Sequence, residues 1–185
     1  MAACVFSTVM SVRTDADLVL AAQAGDVSSF ELLYSKYVPV VHSILLGRLP
    51  PHDADDVSQN VFITALTKLG SLREPAAFAG WITRTARNAA EDHRRRMGDA
   101  IHLEGEMNDA CATNATQSED AEAARALDAI RALPEAYRET LMLRLVEGMS
   151  GPEISARTGL TPGSVRVNLH RGMQMLRSVL GGSAV

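Results

Sequence analysis

Apolar residues recur at helical spacing along most of the chain. Phe30, Leu33, Tyr34, Tyr37, Val41, Ile44 and Leu45 stand three or four apart and make one stripe, with Pro39 expected to kink its helix. Pro50, Pro51 and His52 then break the chain. Asp53 is placed to cap the next helix, whose stripe is Val57, Val61, Phe62, Ala65, Leu66 and Leu69. After an interruption from Gly70 to Pro75, a further helix carries Phe78, Trp81, Ile82, Thr85, Ala86 and Ala89 on one side and most of its arginines on another. Thr14 to Asp17 is the first helix-start signal, so residues 1–14 are expected to be a loose extension. No alternating run bounded by turn residues predicts a strand.

The second half continues in the same period. Ala121 to Leu133 predicts a helix with Leu127, Ile130 and Leu133 inward, and Pro134 opens another that carries Tyr137, Leu141, Met142 and Leu145. Gly148 is a natural C-terminal stop. Ser150 followed by Glu153 is a capping box, which satisfies two free backbone amides reciprocally and starts a short helix over Gly151–Thr158. Gly159 ends that helix, Thr161 caps the last one, and Pro162 takes its first position, where a missing amide hydrogen costs nothing. Val165, Leu169, Met173 and Leu176 form the inner side of this final helix and leave Arg166, Val167, His170 and Arg171 facing outward. Two short capped helices joined by a glycine turn, with arginines outside the second, fit the helix-turn-helix that lays one helix in the DNA major groove.

Between these halves, residues 98–121 (GDAIHLEGEMNDACATNATQSEDA) lack sustained periodicity, and structureless loops beyond about 15 residues are uncommon inside one domain. The stretch predicts an acidic flexible linker, able to span at most roughly 80 Å at about 3.3 Å per residue. The expected fold is therefore all-α, with two small helical domains at 15–97 and 122–180, and a tail at 181–185. Charge sharpens the division. The net charge is -4, yet residues 1–97 are balanced, 98–121 carry six acids and no base, and 122–185 carry eight bases against six acids. Arg84, Arg87, Arg94, Arg95 and Arg96 crowd the first basic face, and Arg166, Arg171 and Arg177 the second.

Enzymatic readings find little support in the sequence. His52, Asp53, Asp55 and Asp56 suggest a metal site, but adjacent helical residues do not converge, and acids at a helix N-terminus are favoured electrostatically without a metal. There is no Gly-rich phosphate loop or nucleophile elbow. Two cysteines, Cys4 and Cys111, exclude a disulfide-dense secreted scaffold and suit a reducing cytoplasm. No apolar run reaches the roughly 18 to 20 residues of a membrane span.

Three segments together carry a resemblance: Asp53–Phe62 (DADDVSQNVF), Phe78–Asn88 (FAGWITRTARN) with Asp92–Arg95 (DHRR), and Leu160–Arg171 (LTPGSVRVNLHR). In this order they resemble bacterial sigma factors of the extracytoplasmic-function (ECF) group of the sigma-70 family, over about Asp15–Met97 and Glu122–Leu180. The resemblance implies a non-catalytic subunit without cofactor or metal. Its partners would be RNA polymerase core, through the beta-prime clamp and the beta flap, promoter DNA, and an anti-sigma factor. By position, Asp56, Gln59, Asn60 and Ile63 would dock on core. Leu72, Arg73, Arg84, Arg87, Asn88, Arg94 and Arg95 would meet the minus-10 element, the arginines on its backbone and Asn88 with the loop from Leu72 around an unstacked base. Trp81 is a tempting stacking platform, but its place beside Phe78 and Ile82 favours the core. Arg166, Val167, Asn168, His170 and Arg171 would read the minus-35 element about two helical turns, roughly 70 Å, away. Ser58 and Asn60 depart from the family's usual docking residues, and Val167-Asn168 from its usual Ser-Arg, so the preferred bases are expected to be unusual. The alternatives are a helix-turn-helix regulator that binds operator without polymerase, and a helical interaction module without DNA function.

Overall fold

A computed structural model describes residues 13–103 and 118–181, and every regular element among them is a helix. In chain order these are α1 (Asp15–Gln23), α2 (Val27–Leu46), α3 (Pro51–Lys68), two short 3-10 turns (Leu69–Ser71 and Pro75–Ala77), α4 (Phe78–Leu103), α5 (Ser118–Arg131), α6 (Glu135–Leu145), α7 (Gly151–Thr158) and α8 (Pro162–Gly181). The expected linker enters this description at both ends, since α4 runs to Leu103 and α5 starts at Ser118. Residues 104–117, the extension up to residue 12, the tail from 182, Cys4 and Cys111 lie outside the described residues.

Local signals set most boundaries. Thr14 and Asp17 form a capping box at α1, with the Asp17 amide donating to Thr14 Oγ1 at 3.2 Å and the Thr14 amide to Asp17 Oδ2 at 2.8 Å. Gly25, at φ +99, turns the chain into α2, whose cap Asp26 accepts from the Ser28 amide at 3.1 Å. The Ser150–Glu153 box opens α7, and Gly159 closes it in the left-handed region at φ +73. Thr161 caps α8, accepting from the Ser164 amide at 3.2 Å.

Helices α1 to α4 enclose one apolar cluster, in which Val19, Leu33, Tyr37, Val40, Ile44, Val61, Phe78 and Ile82 are fully buried. Tyr37 and Phe78 meet edge to face with centroids 5.1 Å apart, a geometry that adds about 0.5–1.5 kcal/mol beyond area burial. The Tyr37 hydroxyl donates to Asp15 Oδ2 at 2.6 Å, and burial, then this bond, pushes its phenol well above the usual range. A second cluster joins α5, α6 and α8 through Ile130, Leu133, Leu141, Met142 and Leu176.

The two groups also pack on each other. Leu143 of α6, Ile154 of α7 and Val165 of α8 belong to the first cluster, so the apolar faces of the C-terminal group are shared with α1–α4.

Some local expectations fail. Asp53 does not cap α3: Pro50 stands at that position in an extended conformation and Pro51 starts the helix, which moves Asp53 to the third position. There it lies 3.3 Å from His93 Nε2 on α4. Leu66, Leu145 and Tyr34, assigned inward by spacing, are exposed, although Tyr34 still packs edge-on against Phe62 at 4.6 Å. The neighbouring helices cover a narrower strip than the apolar stripes would allow.

Candidate nucleic-acid interface

Helix α8 is held from behind. Val165 and Leu176 are buried, and Gly172 lets the helix lie against α6, since a Cβ there would stand 3.1 Å from Tyr137 Cβ. The α7–α8 turn is fixed by Ser155 Oγ donating to the Leu160 carbonyl at 2.6 Å and the Leu160 amide donating to Thr158 Oγ1 at 3.2 Å. With its inner side fixed, α8 turns Arg166, Val167, His170 and Arg171 to solvent, the face the spacing predicts. Asn168 differs. It is half-buried and borders a cleft of about 500 Å³ with Arg48, Arg87, Glu135 and Glu139.

On α4 the expected minus-10 residues separate into three environments. Arg84, Arg94 and Arg95 are exposed, the latter two 3.3 and 3.4 Å from Glu91. Exposed pairs of this kind contribute about 0–1 kcal/mol and leave the guanidiniums available. Asn88 borders a groove of about 440 Å³ between α3 and α4, together with Asn60, Thr64, Trp81 and Thr85. Trp81 is half-buried: it packs on the core, 5.8 Å from Phe78, and also lines this groove. Arg87 instead makes a bidentate pair with Glu139 of α6, Nε to Oε2 at 2.8 Å and Nη2 to Oε1 at 2.7 Å. Those hydrogen bonds raise the Arg87 pKa against the effect of burial. Leu72 is half-buried and Arg73 exposed on the loop between the 3-10 turns.

Asp56, Gln59, Asn60 and Ile63 all face solvent on α3, with Ile63 61% exposed and Leu66 beside it 59% exposed. An apolar pair on an otherwise polar helix face has the composition of a contact surface. His52, 3.8 Å from Asp53 and 3.7 Å from Asp56, belongs to no metal-holding group of three or more among the described residues.

Sequence reasoning missed five residues that shape this surface. Gln23 of α1 donates from Nε2 to the carbonyls of Leu69 and Leu72, both at 2.9 Å, and so fixes the loop that begins at Leu72. Arg48, its side chain 8% exposed, lies 2.6 Å from Glu135 and 3.5 Å from Glu139, and the hydrogen bond holds the Glu135 carboxyl below its usual range. Arg131 donates to the carbonyls of Leu46 and Leu49, and Arg138 to that of Gly47. Glu139 is 5% exposed. One signal in the sequence points to it: Glu135, Glu139 and Met142 follow at four and three, so an acid shares a helix face with a core methionine.

Comparisons with known proteins agree with this geometry. The family model for sigma-70 region 2 matches residues 33–99, and that for sigma-70 region 4 matches 123–176. The RNA polymerase sigma factor CarQ of Myxococcus xanthus is 32% identical over 162 residues, covering 85% of this chain and 92% of the relative. The ECF RNA polymerase sigma-E factor of Escherichia coli is 31% identical over 176 residues, covering 88% and 92%. Among solved structures, CnrH in complex with the cytosolic domain of CnrY matches with a TM-score of 0.62 at 24% identity, over 92% of this chain and 99% of that one. The sigma factor RpoE of Bartonella quintana, in complex with the anti-sigma factor NepR, matches at 0.58 and 19% identity, over 82% and 96%.

Proposed function

The chain belongs to the extracytoplasmic-function group of the sigma-70 family, and we propose that its two helical groups divide the work of promoter recognition between them. As an RNA polymerase sigma factor it binds core polymerase and directs transcription initiation. In the proposed division, residues 15–97 dock on the beta-prime clamp through Asp56, Gln59, Asn60 and Ile63 and open the minus-10 element. Arg84, Arg87, Arg94 and Arg95 hold its sugar-phosphate backbone, while Leu72, Arg73 and Asn88 surround an unstacked base. Residues 122–180 meet the beta flap and read the minus-35 duplex through Arg166, Val167, Asn168, His170 and Arg171. Residues 98–121 join the two. The chain supplies no catalysis of its own, works in the cytoplasm and at the nucleoid, and answers to an anti-sigma partner.

The observation that carries this reading is the outer face of α8. Arg166, Val167, His170 and Arg171 are exposed on a helix whose other side is fixed to α6, which is how a base-reading helix must be presented. With an overall charge of -4, non-specific affinity for DNA is expected to be low, because that affinity comes mainly from phosphate neutralisation. The test is a titration of the purified protein with core polymerase on a matching promoter. Initiation that needs both components, with weak duplex binding by the protein alone, is the expected result. Tight operator binding without core at physiological salt would instead identify a regulator of the repressor type.

A further inference from the structure

Four arginines line one cleft of about 340 Å³: Arg48 from the turn after α2, Arg87 and Arg94 from α4, and Arg138 from α6. Two acids, Glu91 and Glu135, line it with them, and Glu139 holds Arg87 from α6. Even with Glu139 included, cations outnumber acids by four to three. This is not the charge of a solvated helix face. The Arg48 side chain is 8% exposed and Arg138 is half-buried, and a cation withdrawn from water is costly unless an anion meets it.

Arg138 lacks such an anion. Its three hydrogen bonds go to the carbonyls of Leu133 and Gly47, and among the described residues it forms no ion pair. Burial, and after it the neighbouring Arg48 cation, pushes its pKa below the usual range. A guanidinium carries five N–H donors, of which Arg138 spends three and Arg48 two, on the Ile44 carbonyl and Glu135. Glu135 is 68% exposed and free to swing out, which would release Arg48 to an incoming anion. The shape of that anion follows from the wall. Arginines arriving from three different elements are not met by one flat carboxylate, whereas phosphate presents oxygens in several directions, and two phosphates joined by an anhydride present more oxygens and more charge. Asn88, on the same cleft, adds an amide donor. A duplex backbone does not reach an arginine as enclosed as Arg48.

We propose that the cleft walled by Arg48, Arg87, Arg94 and Arg138 is a binding site for a small phosphoanhydride, either an inorganic polyphosphate such as pyrophosphate or the polyphosphate tail of a nucleotide. The site does not depend on the assignment of Arg87 and Arg94 to the minus-10 backbone.

Calorimetric titration of the full chain with inorganic pyrophosphate, at fixed ionic strength and without divalent cations, tests it. The expected result is saturable binding at one site, tighter than that of orthophosphate or sulfate, and a thermal midpoint that rises with pyrophosphate concentration. No saturable binding at millimolar concentration overturns the proposal. Tripolyphosphate and ATP separate the two sources: ATP binding the tighter of the two identifies a nucleotide, and tripolyphosphate binding at least as well identifies the inorganic anion. Arg138→Gln should weaken binding by about tenfold or more, while Arg125→Gln, which removes an exposed arginine of α5 outside the cleft, should leave it unchanged. Glu135→Gln takes an acid from the wall and should tighten binding, a gain that loss of fold cannot imitate. If Arg138→Gln loses helix content by circular dichroism, Glu135→Gln decides alone. Binding that neither substitution moves lies elsewhere and overturns the site. A promoter duplex that displaces pyrophosphate from the free chain, and that itself binds less tightly to Arg138→Gln, would make the cleft part of a DNA surface and overturn the small-anion reading.

Discussion

Gly172 of α8 and Leu141 of α6 meet so closely that a Cβ on the glycine would lie 2.9 Å from Leu141 Cδ1, with Tyr137 Cβ at 3.1 Å on the same side. The leucine tip can swing away, but the tyrosine Cβ is fixed to its backbone. Gly172→Val is therefore expected to overpack this contact and destabilise the C-terminal group by about 1–3 kcal/mol. A fall in the urea midpoint, with loss of minus-35-dependent initiation, checks it.

Arg171 is exposed on α8. If it reads a base edge, Arg171→Ala should cost roughly 1–3 kcal/mol and relax selection at one position of the minus-35 element. Initiation by holoenzyme from a set of minus-35 variants measures this. Unchanged selection and unchanged promoter use would move the reader elsewhere.

Gln23→Ala removes two hydrogen bonds from the carbonyls of Leu69 and Leu72. Each is worth about 0.5–1.5 kcal/mol net, and they hold a loop rather than the core. Core binding should be kept while open-complex formation falls. Comparing polymerase affinity with permanganate reactivity of the melted strand distinguishes the two effects.

Ser150→Ala breaks the capping box of α7 and should cost about 0.5–2 kcal/mol. Because α7 sets the angle at which α8 leaves the Gly159 turn, promoter binding should weaken more than core binding. Thermal denaturation and a promoter-binding assay of holoenzyme together decide it.

Acid should weaken the protein in a defined window. The hydrogen bond from Arg48 holds Glu135 below its ordinary 4.5, and the Ser28 and Ser29 hydroxyls hold Asp26 at about 2 against an ordinary 3.8. A depressed folded pKa gives stability that is complete above the ordinary value and disappears as pH falls through the folded one. The urea midpoint should thus hold steady from pH 7 to about 5 and fall between about 4.5 and 2. Asp26→Asn should flatten the lower part of that fall, as urea titrations at stepped pH would show.

The sequence by itself determined most of the features whose physics is local. The boxes at Ser150–Glu153 and Thr14–Asp17, the left-handed stop at Gly159, Pro162 at the start of α8 and the outward set Arg166, Val167, His170 and Arg171 depend on residues within four positions of one another. The order of the two helical groups and the motifs that place the chain in its family were legible for the same reason. Tertiary structure decided what each face meets. Leu66 and Leu145 satisfy their helical stripes yet remain exposed, because a period of three and four marks an apolar side without saying how wide a neighbour covers it. Asp53 lost its cap to Pro50, which the extended entry into α3 placed first. Above all, Arg87 reads in the sequence as a contact to promoter DNA, and Arg48, Glu135 and Glu139 carry no assignment there. Their pairing at the contact between the groups joins partners far apart in the chain, 52 residues for Arg87–Glu139 and 87 for Arg48–Glu135, and no local spacing encodes a meeting at that range.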